Sequence, residues 1–209
     1  MKLYYSPGAC SLSPHIALRE AGIDATLVKV NTKTHKLDDG SDYYVINPKG
    51  YVPVLELDDG ERLTEGPAIV QYIADLEPAS GLAPAAATLA RYRLQEWLNF
   101  ITSELHKQFS PLFAAETPAE YREIAKRKIA NRFDWVQAQL RGKEYLFGKQ
   151  FTVADCYLFV VASWSKHVGI DLARWPELAA YLERVAARPN VRKALIAEGL
   201  LQEASAPAR

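Results

Sequence analysis

The first thirty residues constrain the fold more than any other stretch. Lys2 to Tyr5 reads as a short apolar strand, Ser13 to Ala21 as an amphipathic helix stopped by Gly22, and Thr26 to Val30 as a second strand of alternating apolar residues. This is a βαβ unit, and it commits the start of the chain to the α/β class. A polar stretch rich in turn residues, Thr32 to Asp42, follows. Beyond it come the strand Val54 to Leu57, the turn Asp58-Asp59-Gly60 and another short strand near Leu63, together an antiparallel hairpin. Glu65-Gly66-Pro67 then opens a helix through Ile69, Tyr72, Ile73 and Leu76, with Pro67 suited to the first helical position. The first half is therefore βαβ followed by ββα.

Pro78 to Pro84, with Ser80 and Gly81 between, has the composition of a linker, and everything after it reads as helix. Leu94, Leu98, Ile101 and Leu105 define one apolar face of a helix from Arg91 to about Ser110. A second helix runs from Pro118 to about Leu140. A third begins at Thr152, where Thr152 and Asp155 have capping-box spacing and Phe151 precedes them as a staple. Asp155 is accordingly assigned to capping. Pro176 and Pro189 each open a further helix. The expected organisation is a first domain over residues 1–78, a linker at 79–85, an all-helical domain over 86–203 and a frayed Ala/Pro-rich tail at 204–209.

The 209 residues carry 25 basic and 25 acidic side chains, so no net field attracts nucleic acid or an anionic membrane surface. No apolar run approaches the roughly 20 residues that cross a bilayer, and the Met1-Lys2-Leu3-Tyr4 start lacks a signal peptide's apolar stretch. A cytoplasmic location is the expectation. The two cysteines, Cys10 and Cys156, and the four histidines show no disulfide or metal-ligand spacing, and no metal is expected.

Cys10 stands where the first helix begins. Unpaired backbone N–H groups and the positive end of the helix dipole favour a thiolate there. A reactive cysteine of depressed pKa is one reading, and a small buried apolar side chain is the other. On the later helix, Asn99, Ser103 and His106 are spaced four and three residues apart and share one face under α-helical geometry. Such a stripe is either functional or simply solvated.

The order of these features resembles that of a glutathione transferase, and most nearly its bacterial beta class. The residues that carry the resemblance are Pro-Gly-Ala-Cys-Ser at 7–11, Asn-Pro-Lys-Gly at 47–50, Val52-Pro53, Leu-Thr-Glu-Gly at 63–66 and Glu-Leu-His-Lys at 104–107. The resemblance implies a thioredoxin-like first domain followed by an all-α domain. It implies a cis Val52-Pro53 bond whose Val52 N–H and C=O pair with the glutathione cysteine backbone as an added strand would. Glu65 takes the γ-glutamyl ammonium, and the Gly66 N–H at the helix N-terminus takes its carboxylate.

By the same resemblance Ala9 and Cys10 line the site, and Asn99 and His106 face Cys10 across the cleft, hydrogen-bonding its sulfur or lowering its pKa. Lys107 lies nearby. Ser103 and Glu104 match positions that contact glutathione, Glu104 from a second subunit. Two positions depart from the pattern: His35 stands where a lysine would hold the glycyl carboxylate, and Tyr51 where glutamine is expected. Trp164 matches a position on the wall of the electrophile pocket.

The implied activity is conjugation of glutathione to small electrophiles, often apolar or halogenated, with no metal or redox cofactor. Serine in Cys10-x-x-Ser13 occupies the place of a second redox cysteine, so monothiol exchange is the chemistry open to Cys10. The alternative is a regulatory or binding protein that keeps the fold without catalysis. The resemblance also implies a homodimer, for which Tyr92, Trp97 and Phe100, with Tyr72 and Ile73, are candidate contacts.

Overall fold

The computed structural model describes residues 1–202; residue 203 and the tail at 204–209 lie outside the described residues. Five strands form one mixed sheet in the order β3-β2-β1-β4-β5. Strand β1 (Lys2–Tyr5) runs parallel to β2 (Thr26–Asn31), with Leu3 opposite Leu27. It runs antiparallel to β4 (Val54–Glu56), with Leu3 opposite Leu55, and β5 (Arg62–Thr64) extends that side. A central strand is covered on both faces, and Leu3, Tyr4 and Tyr5 are accordingly all buried. On the far edge lies β3 (Lys36–Leu37), inside the polar stretch rich in turn residues, where no strand was expected. Two residues are too few to display an alternating pattern.

Helix α1 (Leu12–Ala21) ends at Gly22, whose φ of +68° and N–H bonds to Arg19 O and Leu18 O close its last turn. It packs on α2 (Gly66–Leu76) over the sheet. Leu3 and Leu55 from the sheet meet Ile16, Ile69 and Ile73 from the helices, all fully buried, so Ile73 is core and not the dimer contact expected of it. Each such side chain contributes roughly 1.5–3 kcal/mol of burial free energy.

After a short turn at Pro78–Ser80 the linker-like segment is pinned, because Leu82 is buried and its carbonyl accepts the Val153 N–H at 2.9 Å. The helix expected from Arg91 to Ser110 is not uniform. Helix α3 (Leu89–Phe100) continues through a widened π turn, Ile101–His106, into α4 (Lys107–Phe113). The Lys107 N–H reaches the Thr102 carbonyl five residues back, so one extra residue enters the turn. Helix α5 (Ala119–Leu140) packs against α4.

Helix α6 (Val153–Ser163) is the centre of the helical half, with every residue from Val153 to Ala162 buried. The expected capping box is present: Thr152 N and Oγ1 donate to Asp155 Oδ2 at 2.8 and 2.9 Å. Leu146 N and Tyr181 OH donate to the other oxygen at 2.9 and 3.1 Å. Burial nevertheless raises the Asp155 carboxyl to about 6. Helices α7 (Pro176–Ala186) and α8 (Pro189–Ala197) are the last among the described residues, each opened by its proline. Both α6 and α8 lie against α1, so a single apolar core joins the two halves. Among the described residues no helix is long and apolar enough to cross a membrane.

Candidate active site

Between β1 and α1 the chain closes on itself. Ala9 N–H donates to Ser6 O at 3.0 Å, Ser6 N–H donates to Ser11 Oγ at 3.0 Å, and Ser11 Oγ returns a hydrogen bond to Ser6 O at 3.2 Å. Gly8 adopts φ +71°, which favours glycine. Cys10 emerges from this loop half-buried, and its Sγ donates to Val52 O at 3.2 Å. The Val52-Pro53 bond is cis, as expected. Tyr43 OH and Asn47 Nδ2 both donate to Tyr51 O at 2.8 Å, which fixes the backbone ahead of Val52, while the Tyr51 ring is exposed. Ala9 packs against the small cluster that contains Val52.

Burial works against the expected depression of the Cys10 pKa. Burial pushes the thiol up to about 11, because desolvation outweighs the Cys10 and Ser11 N–H groups that favour the anion. Among neighbouring charges Glu65 raises it further and Lys107 lowers it. His106 is not the cation beside the sulfur. Burial first, and Lys107 second, push the imidazole down to about 4, and its Nδ1 lies 2.6 Å from Tyr157 OH. The favourable positive charge is that of Lys107.

Glu65 precedes α2 with φ +70° and makes no capping bond with its side chain. Its carboxylate instead receives Lys49 Nζ at 2.6 Å, and the same ammonium donates to Thr64 Oγ1 at 3.0 Å. Gly66 is the first residue of the helix. His35 also has positive φ, +54°, and its ring stacks on Tyr44 at 4.5 Å between centroids. Its Nδ1 is buried without a partner. Gly50, at φ +72°, is needed beneath it, since a Cβ there would come within 2.9 Å of Nδ1.

On the helical side the π turn breaks the four-and-three spacing from which a common face for Asn99, Ser103 and His106 was expected. Asn99 and Ser103 are exposed, with Ser103 Oγ donating to Asn99 O at 3.0 Å, while His106 is partly buried. Glu104 pairs with Arg132 Nε of α5 at 2.7 Å. Trp164 is buried, and its ring meets His106, Phe109 and Phe113 at centroid distances of 4.9, 5.7 and 5.8 Å. Its Nε1 donates to Gly8 O at 2.9 Å. Tyr157 is core, as its apolar surroundings suggest, with its OH meeting His106, while Phe113, which meets the Trp164 ring, was not singled out from the sequence. The only signal for Phe113 is an aromatic side chain at the end of a helix that already carries His106 and Lys107.

A thiol beside a cis-proline segment that enters a mixed sheet, an acid at a helix start and an aromatic wall on a facing helical bundle define a thioredoxin-like fold with an appended helical domain. The glutathione S-transferase N-terminal domain family matches residues 8–76, and its C-terminal domain family matches residues 100–189. The chain belongs to the glutathione S-transferase family. Glutathione S-transferase GstA of Escherichia coli O157:H7 is 47% identical over 200 residues, covering 96% of this chain and all of that protein. A structure of the ternary complex of BphK, a bacterial transferase, is 56% identical with a TM-score of 0.94, covering 96% and 100% of the two chains. A sphingomonad glutathione S-transferase complexed with glutathione is 51% identical at a TM-score of 0.92, with 96% and 100% covered. The bacterial beta-class enzyme of Sphingomonas chungbukensis is 50% identical at 0.93, with the same coverage. The class is thus the bacterial beta class.

Proposed function

We propose that the protein joins glutathione to small electrophiles and that Cys10 adds a monothiol exchange activity. The observation that carries this reading is the 3.2 Å contact between Cys10 Sγ and Val52 O, in the cis-proline segment that leads into β4 and whose backbone suits pairing with a peptide. The binding of glutathione by a relative of 51% identity supports the ligand.

In this reading Val52, ahead of Pro53, holds the cysteinyl backbone, and Glu65 exchanges Lys49 for the γ-glutamyl ammonium. The Gly66 N–H takes the adjacent carboxylate, and the unpartnered His35 Nδ1 takes the glycyl end under Tyr51. Ala9 borders the cysteinyl group. Across the cleft Lys107 supplies positive charge and neutral His106, anchored on Tyr157, borders the sulfur. Asn99 and Ser103 complete the polar rim, and Glu104 reaches a neighbouring subunit's glutathione. Trp164 and Phe113 form the apolar wall against which the electrophile lies.

A protonated Cys10 suits conjugation, because its S–H can donate to the glutathione thiolate. That thiolate attacks the electrophilic carbon, a carbon–sulfur bond forms, and the leaving group, halide for a halogenated substrate, departs with the bonding electrons. In exchange, Cys10 gives its proton to solvent and, as the thiolate, attacks a disulfide of glutathione. A Cys10–glutathione disulfide forms and one glutathione thiolate leaves. Glutathione is the co-substrate, and neither step as written draws on a metal or redox cofactor.

A homodimer, with Trp97, Phe100 and Trp135 clustered on one face in edge-on and tilted contacts at 4.6–5.7 Å between centroids, completes the proposal. Retention on immobilised glutathione, with elution by free glutathione, tests the reading. A protein that flows through with an intact fold contradicts it.

A further inference from the structure

Glu198 is 190 positions from Gly8 in sequence and yet lies against the cysteine loop. Helix α8 stops there because Gly199, at φ +72°, donates to Ile196 O at 2.9 Å and Leu200 N–H returns to Leu195 O at 2.8 Å. This closure leaves the Glu198 side chain 0% exposed. One carboxylate oxygen accepts the Gly8 N–H at 2.9 Å, and the other pairs with His15 Nδ1 at 2.8 Å. Arg19 Nε donates to His15 Nε2 at 3.4 Å, which leaves the imidazole proton on Nδ1 and directs it to Glu198. A buried carboxylate requires such donors.

From the opposite side Trp164 Nε1 donates to Gly8 O at 2.9 Å. Leu200 covers the glycine, its Cδ2 lying 3.4 Å from where a Cβ would stand. Both polar backbone groups of one residue, two positions before Cys10, are therefore held by the helical half of the chain.

We propose that Glu198, oriented by His15, and Trp164 are positioning residues for Cys10, which together fix Gly8 and so set where the thiol emerges beside Val52. The proposal rests on the reading of Cys10 as the thiol of the site. It gives Trp164 two tasks, since the indole that walls the electrophile pocket also grips the cysteine loop.

Glu198→Gln tests it with little change of shape. The amide has one accepting oxygen where the carboxylate has two, so Gly8 or His15 loses its acceptor. Cys10 alkylation by iodoacetamide, followed by intact mass across pH, reads the thiol whether or not it takes part in turnover. The expected results are a fall of the Cys10 inflection by about one pH unit toward the ordinary cysteine value, as a loosened loop lets water reach the thiol, and exchange of the Gly8 amide hydrogen about tenfold faster. Cys156 stays unreactive. Trp164→Phe, which keeps an aromatic ring and deletes the N–H, shifts the inflection in the same direction. Unchanged alkylation profiles and exchange in both variants overturn the proposal. If Glu198→Gln does not fold, Trp164→Phe decides alone. A fully active Cys10→Ala that differs from wild type in no glutathione reaction refutes the role of Cys10, while wild-type and Glu198→Gln alkylation still report on the grip.

Discussion

Cys10 donates its thiol hydrogen to the carbonyl of Val52, Sγ to O at 3.2 Å, so the sulfur and the cis-proline segment ahead of β4 meet in one contact. A thiol held in this way is a hydrogen-bond donor, and burial favours its neutral form.

The rate of Cys10 alkylation should therefore rise with pH through an inflection above the ordinary cysteine value of about 8.5, toward about 11. The folded state holds the proton more tightly than the unfolded chain. Any stability this adds is present below about pH 8.5 and is lost as pH climbs through the folded value. An inflection below the ordinary value would show that the helix N-terminus and Lys107 outweigh burial.

Glu65→Ala should weaken glutathione binding by about 2 kcal/mol, roughly thirtyfold, the scale of a charge-assisted hydrogen bond at a largely exposed carboxylate. Cys10→Ala should weaken it less, since a thiol is a poor donor. Titration calorimetry on both variants compares them. Equal losses would reduce Glu65 to a partner for Lys49.

Asp155→Ala should destabilise the fold by about 3 kcal/mol or more, because it strips the acceptor from Thr152, Leu146 and Tyr181 at the start of the buried α6. The folded carboxyl titrates near 6, above its unfolded value. The native state therefore binds the extra proton between about pH 4 and 6, and that part of the stability fades as pH rises through this window. Denaturant unfolding at pH 4.5 and 7.5 should find the larger wild-type advantage at the lower pH.

Sedimentation equilibrium should give twice the chain mass of 23.3 kDa. Trp135, exposed at 44% and stacked on Trp97 and Phe100, is the side chain whose replacement by alanine should most favour the monomer. A wild-type monomer that turns over glutathione would remove both the dimer and the part given to Glu104.

Much of the fold was legible because its signals are local. Gly22 ends α1, Thr152 and Asp155 cap α6, and Pro176 and Pro189 open the last helices where the residues alone place them. The cis bond at Val52-Pro53 came from family resemblance rather than from the two residues. The π turn at Ile101–His106 was illegible, because the apolar positions around it satisfy an α-helical spacing and one inserted residue leaves no mark. The Cys10 and His106 pKa values were missed for a different reason: helix position is readable from sequence, whereas desolvation depends on what packs above the group. The union of His15, Glu198 and Gly8 joins distant parts of the chain and has no local signature at all.

The most direct test of the account is intact mass after incubation with oxidised glutathione at mildly alkaline pH, for wild type and Cys10→Ala side by side. Wild type should gain a single glutathionyl group that dithiothreitol removes, and Cys10→Ala should gain none, because Cys156 is fully buried and its thiol is held far above its ordinary pKa. An unmodified wild type, or an equal gain in Cys10→Ala, would contradict the assignment of Cys10 as the thiol that meets glutathione.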